Sequence, residues 1–580
     1  MPWMIWGPAR PALPAVSPGV NYRPGLPRPR PRRGAAARGS AAAAGAVLAA
    51  ALVLVQAPGA GADSAPADPA SPSSPVTVTA DSLPTVQIDG VVWQQAIIGD
   101  TVYAVGKFST ARPAGAAAGS QTTSRNNILA FSLSTGRLIT TFAPSLNAQG
   151  LAVTASPDGR RLYVGGDFTQ VNGKAAGRVV ALDPGNGAII PGWSPVMSGS
   201  VRAIAATPDT VYLGGAFNAV GSTSRSRLAA VRASDGGLLA WQPKAAGGDV
   251  NALVLAPDRS KLVAGGAFTT LNGSSQPGFG LAAVDAVSGG ILPTPVNDAV
   301  RNAGRNAAVT SLSSDGSSWY GTAYINVVNN GTGNLEGSFA ADWSSLDIKW
   351  IDDCRGDSHS VFANNTAVYK AGHSHDCGKI NGFPETTPKS WHRALAYSKA
   401  ATQTMTRPST RTPSFLGKPA PSLLVWFPDM DTGTATGQSQ GPWTVTGNDR
   451  YVVMGGEFKN VNLRGQQGLS RFAVSALAPD KEGPRSSAAA TNPVLTSPSA
   501  GQISVSWQSN WDRDNSRLSY QLYRDGVVIN TRTVSSRFWY RPMVEYLDSV
   551  PPGTTHNYRV VVTDAFGNAK SSTTVSLAAK

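Results

Sequence analysis

Most of the side chains that could do chemistry lie between residues 342 and 385. Asp342, Asp347, Asp352, Asp353, Asp357 and Glu385 are carboxylates, and His359, His373 and His375 are imidazoles. Cys354 and Cys377 are the only cysteines, and Trp343 and Trp350 lie close by in sequence. Such a set is consistent with three kinds of chemistry. A metal site would use His373, His375 and Cys377, which share one face of a strand at a spacing of two, with Cys354 or His359 as a fourth ligand. A disulfide between the cysteines would remove both thiolates, and His373 fills the repeat position of Asp167, Ala216 and Glu457, so no metal or other cofactor is expected, with His373 and His375 as the weak candidates. Glycoside hydrolysis needs two carboxylates about 5 to 9.5 Å apart, one with a raised pKa. Asp352, Asp353, Asp357 and Glu385 are available for that, and Trp343 and Trp350 could stack a sugar. Spacing alone does not make any two of these carboxylates converge. Adhesion would use Arg355-Gly356-Asp357, a three-residue match of the kind that recurs by chance. No G-x-S-x-G, P-loop or H-E-x-x-H motif is present.

The elements that must position these residues are written repeatedly. LYVGGDFTQVNG (162–173) returns as VYLGGAFNAVG (211–221), LVAGGAFTTLNG (262–273) and YVVMGGEFKNVN (451–462). The anchors Phe108, Phe168, Phe217, Phe268, Tyr324, Ser374 and Phe458 are separated by 60, 49, 51, 56, 50 and 84 residues, giving seven units. Within the second unit LAVTAS, LYVGGDF, RVVALD and AIIPGWSP follow one another through Asp-Gly, Asn-Gly and Pro-rich turns. Four short strands per unit of about 50 residues is the pattern of propeller blades. The paired glycines suit a strand near a crowded axis. Phe142, Trp193, Trp241 and Trp426, each in an aromatic-x-Pro motif, are expected to pack between adjacent blades. PTVQIDG (84–90) is positioned to supply the outer strand of the last blade, after RFAVSAL. The sixth unit is lengthened near 401–422 by a polar, Pro-rich insertion, which could remain a simple loop or form part of a binding rim.

GGDF-x-x-VNG followed by RVVALD and W-x-P resembles the delta-60-type repeats of secreted bacterial β-propellers. DDCRGDSHSVF…VYKAGHSHDCGKINGFPE is similar to the fifth and sixth units of extracellular propeller proteins that often carry fibronectin type III, immunoglobulin-like or lectin-like modules. The resemblance spans about residues 90–478. It implies a fold and no established reaction, because the family has no agreed catalytic residues.

Residues 479–492 read as a linker. Beyond them ISVSW, the Asp-Gly hairpin YQLYRDGVVIN and NYRVVVTDAFGN alternate as strands of a sandwich. This tail, 493–580, resembles a fibronectin type III domain, with Trp507 in its core and Tyr558 in the tyrosine-corner region.

The net charge is +14, but residues 1–62 carry seven arginines and no acid, leaving 42 basic against 35 acidic residues elsewhere. That mild excess, with no basic stripe interleaved with aromatics, argues against a nucleic-acid partner. The basic start, the apolar run 41–55 and the small residues up to Ala62 read as a signal peptide cleaved between Ala62 and Asp63. The apolar run is short for a bilayer span, so the mature chain is expected to have no transmembrane segment. In an exported protein Cys354 and Cys377 are expected to form one disulfide, joining the fifth unit to the sixth.

The expected protein is therefore all-β. It has a signal peptide (1–62), a linker (63–83), a seven-bladed β-propeller (84–478), a second linker (479–492) and a fibronectin type III-like β-sandwich (493–580). It is expected to be secreted or cell-surface associated and to bind polysaccharide, cell wall or an extracellular protein without catalysis. The expected ligand surface is Trp343, Trp350, Asp357, His373 and His375. The alternative is an exported polysaccharide-degrading glycosidase, or an accessory module of one.

Overall fold

A computed structural model describes residues 75–326, 332–408, 414–478 and 481–580. The expected signal peptide, its Ala62–Asp63 cleavage site and the start of the 63–83 linker lie outside the described residues. No helix among the described residues is long and apolar enough to cross a membrane.

Seven small antiparallel sheets follow one another along the chain. Their first strands are Val91–Ile98, Gly150–Ala155, Val201–Ala206, Val250–Leu255, Ala307–Ser314, Ser358–Ala363 and Pro442–Gly447. We refer to the sheets as 1 to 7 in that order. Each first strand packs against the first strand of the next sheet, and that of sheet 7 packs against that of sheet 1. Sheets 5 and 6 have four regular strands. Sheets 1 to 4 have three, followed by a single bridge such as Leu182 with Ile189 where a fourth strand would lie.

The repeated glycine pairs are on the second strands of sheets 2, 3, 4 and 7, one place away from the first strands that pack against one another. Their role is still close approach. A Cβ on Gly265 would lie 2.7 Å from Val309 Cγ1 on the first strand of sheet 5, and one on Gly455 would lie 2.8 Å from Val92 Cγ1 on sheet 1. The second glycine of each pair faces its own first strand, so a Cβ on Gly266 would lie 2.2 Å from the Asp249 carbonyl oxygen. Strand pairing also corrects the anchor in the fifth unit. Ala323 holds the place of the second glycine, so Tyr324 matches Asp167, His373 and Glu457, and Ile325 takes the aromatic's place.

The aromatic-x-Pro rings pack as expected. Phe142, Trp193, Trp241 and Trp426 lie 5.0–5.1 Å from Tyr103, Tyr163, Tyr212 and Tyr369 respectively. Polar tips then stitch neighbouring sheets: Tyr212 donates to the Ala286 carbonyl at 2.7 Å and Trp193 to the Arg232 carbonyl at 3.1 Å. Buried Tyr and Trp usually find such partners.

The segment that pairs with the last strand of sheet 7 is 79–83, just upstream of PTVQIDG. Thr79 and Leu83 donate to the carbonyls of Ala473 and Arg471 at 2.9 and 2.8 Å, while Gln87–Ile88 pairs with the Thr110–Arg112 strand of the first unit. Val78 and Ala80 are buried, so the 63–83 segment is not a free linker up to residue 83.

Residues 494–578 form two facing sheets. One contains Val494–Thr496, Gln502–Gln508 and Met543–Ser549; the other is built around Arg517–Arg524 and Thr555–Thr563. Trp507, Tyr520, Leu522, Tyr558 and Val560 share the core. The Asp525-Gly526 hairpin forms where the sequence predicts it, with both residues at positive φ (49° and 86°) as a tight two-residue turn requires. Tyr558 donates to Asp548 at 2.7 Å.

Candidate functional site

Every first strand has one register shift near its start, and each shift leaves one residue out of the ladder. A bulge of this kind re-aims a side chain. In sheet order the extra residues are Trp93, Leu151, Arg202, Asn251, Thr310, His359 and Trp443. All seven line a single cavity of about 190 Å³, which touches the first strand of every sheet. The flanking positions are mostly small, as in Val201-Arg202-Ala203, Val250-Asn251-Ala252 and Ser358-His359-Ser360. The fold thus places seven equivalent side chains around one cavity, and the sequence varies them while keeping their surroundings mostly small.

The residues of this ring are held by their neighbours. His359 stacks on Trp443 with centroids 4.2 Å apart, and Trp443 meets Trp93 edge-on at 5.1 Å. The Trp93 indole donates to Gln149 at 3.0 Å. Arg202 forms an ion pair with Asp249 at 3.2 Å and reaches Asn251 Oδ1 at 3.4 Å. Thr310 Oγ1 donates to the Ser358 carbonyl at 2.7 Å, and Tyr324 also lines the cavity.

A second polar tier lies beside this ring. Asp167 accepts from Gln149 at 2.7 Å and from the Ser200 hydroxyl. Glu457 accepts from the Thr436 amide and hydroxyl (2.8 and 2.7 Å) and from the Gln440 amide (3.0 Å), which fixes the loop between Asp431 and Gly441. The Gln440 side-chain oxygen lies 2.7 Å from His373 Nδ1 and 3.4 Å from His359 Nε2. Burial pushes the Asp357 carboxyl up to about 8, helped by the charge of Glu336, so Asp357 is largely protonated at neutral pH. Burial pushes His359 down to about 3 and His373 down to about 4, so both imidazoles are neutral there.

The residues singled out from sequence are spread over several environments. Cys354 and Cys377 form the expected disulfide, which joins the connection after sheet 5 to the second hairpin turn of sheet 6. Trp343 and Trp350 are not a ligand surface. Both are buried in the shared core of sheets 5 and 6, with their indole N–H groups donating to Ser314 and to the Lys399 carbonyl. Asp357 and His373 lie beside the axial ring, with His373 Nε2 3.9 Å from the Asp357 carboxylate. His375 is beyond the end of its strand, 3.4 Å from Glu385. Trp391 has its ring near both His373 and His375, at 5.1 and 5.0 Å.

Three of the four candidate carboxylates have separate cationic partners. Asp352 is buried against Lys370 (3.0 Å) and Ser338, Asp353 against Lys379, and Glu385 against Lys389 (2.7 Å) and Arg355 (3.2 Å). Burial raises Asp353 to about 6 even with Lys379 beside it. Arg355-Gly356-Asp357 is not an exposed adhesive loop, because the Asp357 side chain is only 15% exposed and Arg355 is paired with Glu385. The 401–422 insertion is a hairpin arm in its described part, from His392–Thr404 to Pro419–Leu423, and Met405 and Phe415 are buried in the core. Sequence reasoning missed the axial ring. Its signal was the variable residue between mostly small neighbours in the first strands, visible when the units are aligned on those strands and not on the glycines.

No family model matches the chain, and no curated protein matches it. Among solved structures, a chain in the crystal structure of a mitotic checkpoint complex is similar at 10% identity, over 69% of this chain and 97% of its own, with a TM-score of 0.39. An oligogalacturonate lyase in complex with manganese is similar at 12% identity, over 68% of this chain and 92% of its own, with a TM-score of 0.36. At these TM-scores the likenesses carry no argument about this chain.

Proposed function

We propose that the chain is a secreted, non-catalytic binding or scaffold protein, with a closed seven-bladed propeller of the delta-60-repeat kind and a fibronectin type III-like sandwich. Its ligand is a glycan, a cell-wall polymer or an extracellular protein, held at the axial mouth and not on the rim of sheets 5 and 6. Closure is supported by the cyclic packing of the first strands and by Gly455 fitting under Val92 of sheet 1. One observation carries the functional reading. At seven equivalent bulges, where the folding demand is the same, the chain places Trp, Leu, Arg, Asn, Thr, His and Trp around one cavity. A repeat departs from its template where something other than folding is required.

The alternative, a glycosidase, is favoured by Asp357, whose carboxyl at about 8 has the protonation of a general acid. The other sequence candidates are committed to lysine or arginine partners, which favours binding over hydrolysis. The test is to present the purified chain with polysaccharides, peptidoglycan and aryl glycosides. Binding lost in Trp93→Ala, with no product released, is the expected result. Turnover abolished by Asp357→Asn would establish the hydrolase instead.

A further inference from the structure

We infer that the axial mouth takes the terminal residue of a neutral glycan: one uncharged pyranose, inserted end-on, with its C–H face on an aromatic arc and its hydroxyls on a polar arc. This rests on the reading of the mouth as the binding site. The ring is divided by chemistry. His359, Trp443 and Trp93, from sheets 6, 7 and 1, touch in series and make a continuous aromatic wall. Arg202, Asn251 and Thr310, from sheets 3, 4 and 5, stand opposite with amide, guanidinium and hydroxyl groups already held in place by hydrogen bonds. A pyranose has the same division, with C–H bonds on a ring face and hydroxyls around the rim.

Size and charge narrow the ligand further. Pockets for drug-sized ligands run from roughly 300 to 1,000 Å³. The mouth, at about 190 Å³, has room for a single ring with its substituents. The Arg202 guanidinium already pairs with Asp249 at 3.2 Å, so a sugar carboxylate would compete with that carboxylate for it. An aromatic side chain of a protein ligand would satisfy the aromatic wall but would set carbon against Asn251 and Thr310.

The experiment uses the full chain and a glycan that it binds. Methyl glycosides of glucose, galactose, mannose and N-acetylglucosamine, methyl glucuronide, and N-acetyltyrosinamide compete against that glycan in titration calorimetry. One neutral methyl glycoside is expected to compete. Asn251→Ala and Thr310→Val are each expected to weaken binding several-fold, and Trp93→Ala by tenfold or more, with Trp93→Phe retaining most of the affinity as the control for folding. Competition by the glucuronide or the tyrosinamide alone would overturn the ligand class. Unchanged binding after the chain ends of the glycan are chemically capped would overturn end-on insertion. In both cases the mouth stays the binding site. Glycan binding unaffected by Trp93→Ala would instead overturn the mouth itself, and no glycan bound at all would overturn the glycan as its ligand.

Discussion

Asp357 and Asp249 hold equivalent places, two residues before the bulge residue of their sheets, yet their surroundings differ. Asp249 meets Arg202 and Arg227, whereas Asp357 meets a neutral His373 and the like charge of Glu336. Desolvation therefore dominates at Asp357 and raises its pKa from 3.8 to about 8. A carboxyl whose folded pKa is raised contributes stability below its unfolded value and loses it as pH climbs through the folded one. Three desolvated histidines act in the opposite direction. His359, His373 and His392 are lowered from 6.5 to about 3, 4 and 4, so their contribution is complete above 6.5 and lost as pH falls. Thermal stability is thus expected to rise with pH up to about 6.5 and decline toward 8, with a one-proton slope of about 1.4 kcal/mol per pH unit on the alkaline side. Asp357→Asn should flatten that decline while leaving the acid limb intact. A melting-temperature profile from pH 4 to 9 checks it, and an unchanged alkaline limb would remove Asp357 as the cause.

Between sheets, the recurring contact is a glycine on one second strand beneath a valine on the next first strand, as with Gly265 and Val309. The junction of sheets 1 and 2 reverses the pair. Val105 stands at the glycine's place, and the facing residue is Gly150, where a Cβ would lie 2.8 Å from Val105 Cβ. Gly150→Val alone should overpack and Val105→Gly alone should leave a void and a looser strand, each costing about 1–3 kcal/mol. The double variant restores the arrangement of the other junctions and should recover most of the loss. Chemical denaturation of the three proteins measures that coupling, and additive losses would contradict it. In the same way, opening the 23-residue loop with Cys354→Ala/Cys377→Ala should cost about 3 kcal/mol on the chain-entropy account, read from denaturation midpoints. These contacts mark how far the sequence could be read. The strands, turns, aromatic-x-Pro packing and disulfide were legible because each depends on residues near one another in a repeat. The glycine strand was placed too close to the axis, because a missing side chain shows that something approaches and not from which side. Trp343 and Trp350 looked like ligand platforms because they sat among acids in sequence, and the four-stranded sheet 5 buries both. The axial ring was hidden because its members are about 50 residues apart and related only by the bulge that each first strand makes.

At the scale of the whole molecule, the C-terminal sandwich is docked on sheet 6. Phe538 stacks on His392 at 4.5 Å and lies 5.6 Å from Phe383 and 5.2 Å from Phe427, while the Phe427 amide donates to the Arg513 carbonyl at 2.9 Å. An aromatic cluster of this kind couples the two parts in unfolding. Phe538→Ala should therefore cost about 2 kcal/mol or more and split one calorimetric transition into two; a single, unshifted transition would mean that the sandwich is not held by this contact. The docking leaves the axial mouth as a separate site, lined only by the seven first strands and Tyr324. The central claim is that this mouth holds a ligand without transforming it, and a structure of the full chain with a bound oligosaccharide tests it most directly. The account predicts an intact sugar with its terminal ring between the Trp93–Trp443 wall and Asn251. An oligosaccharide lying on the rim of sheets 5 and 6, or one cleaved beside Asp357, would contradict it.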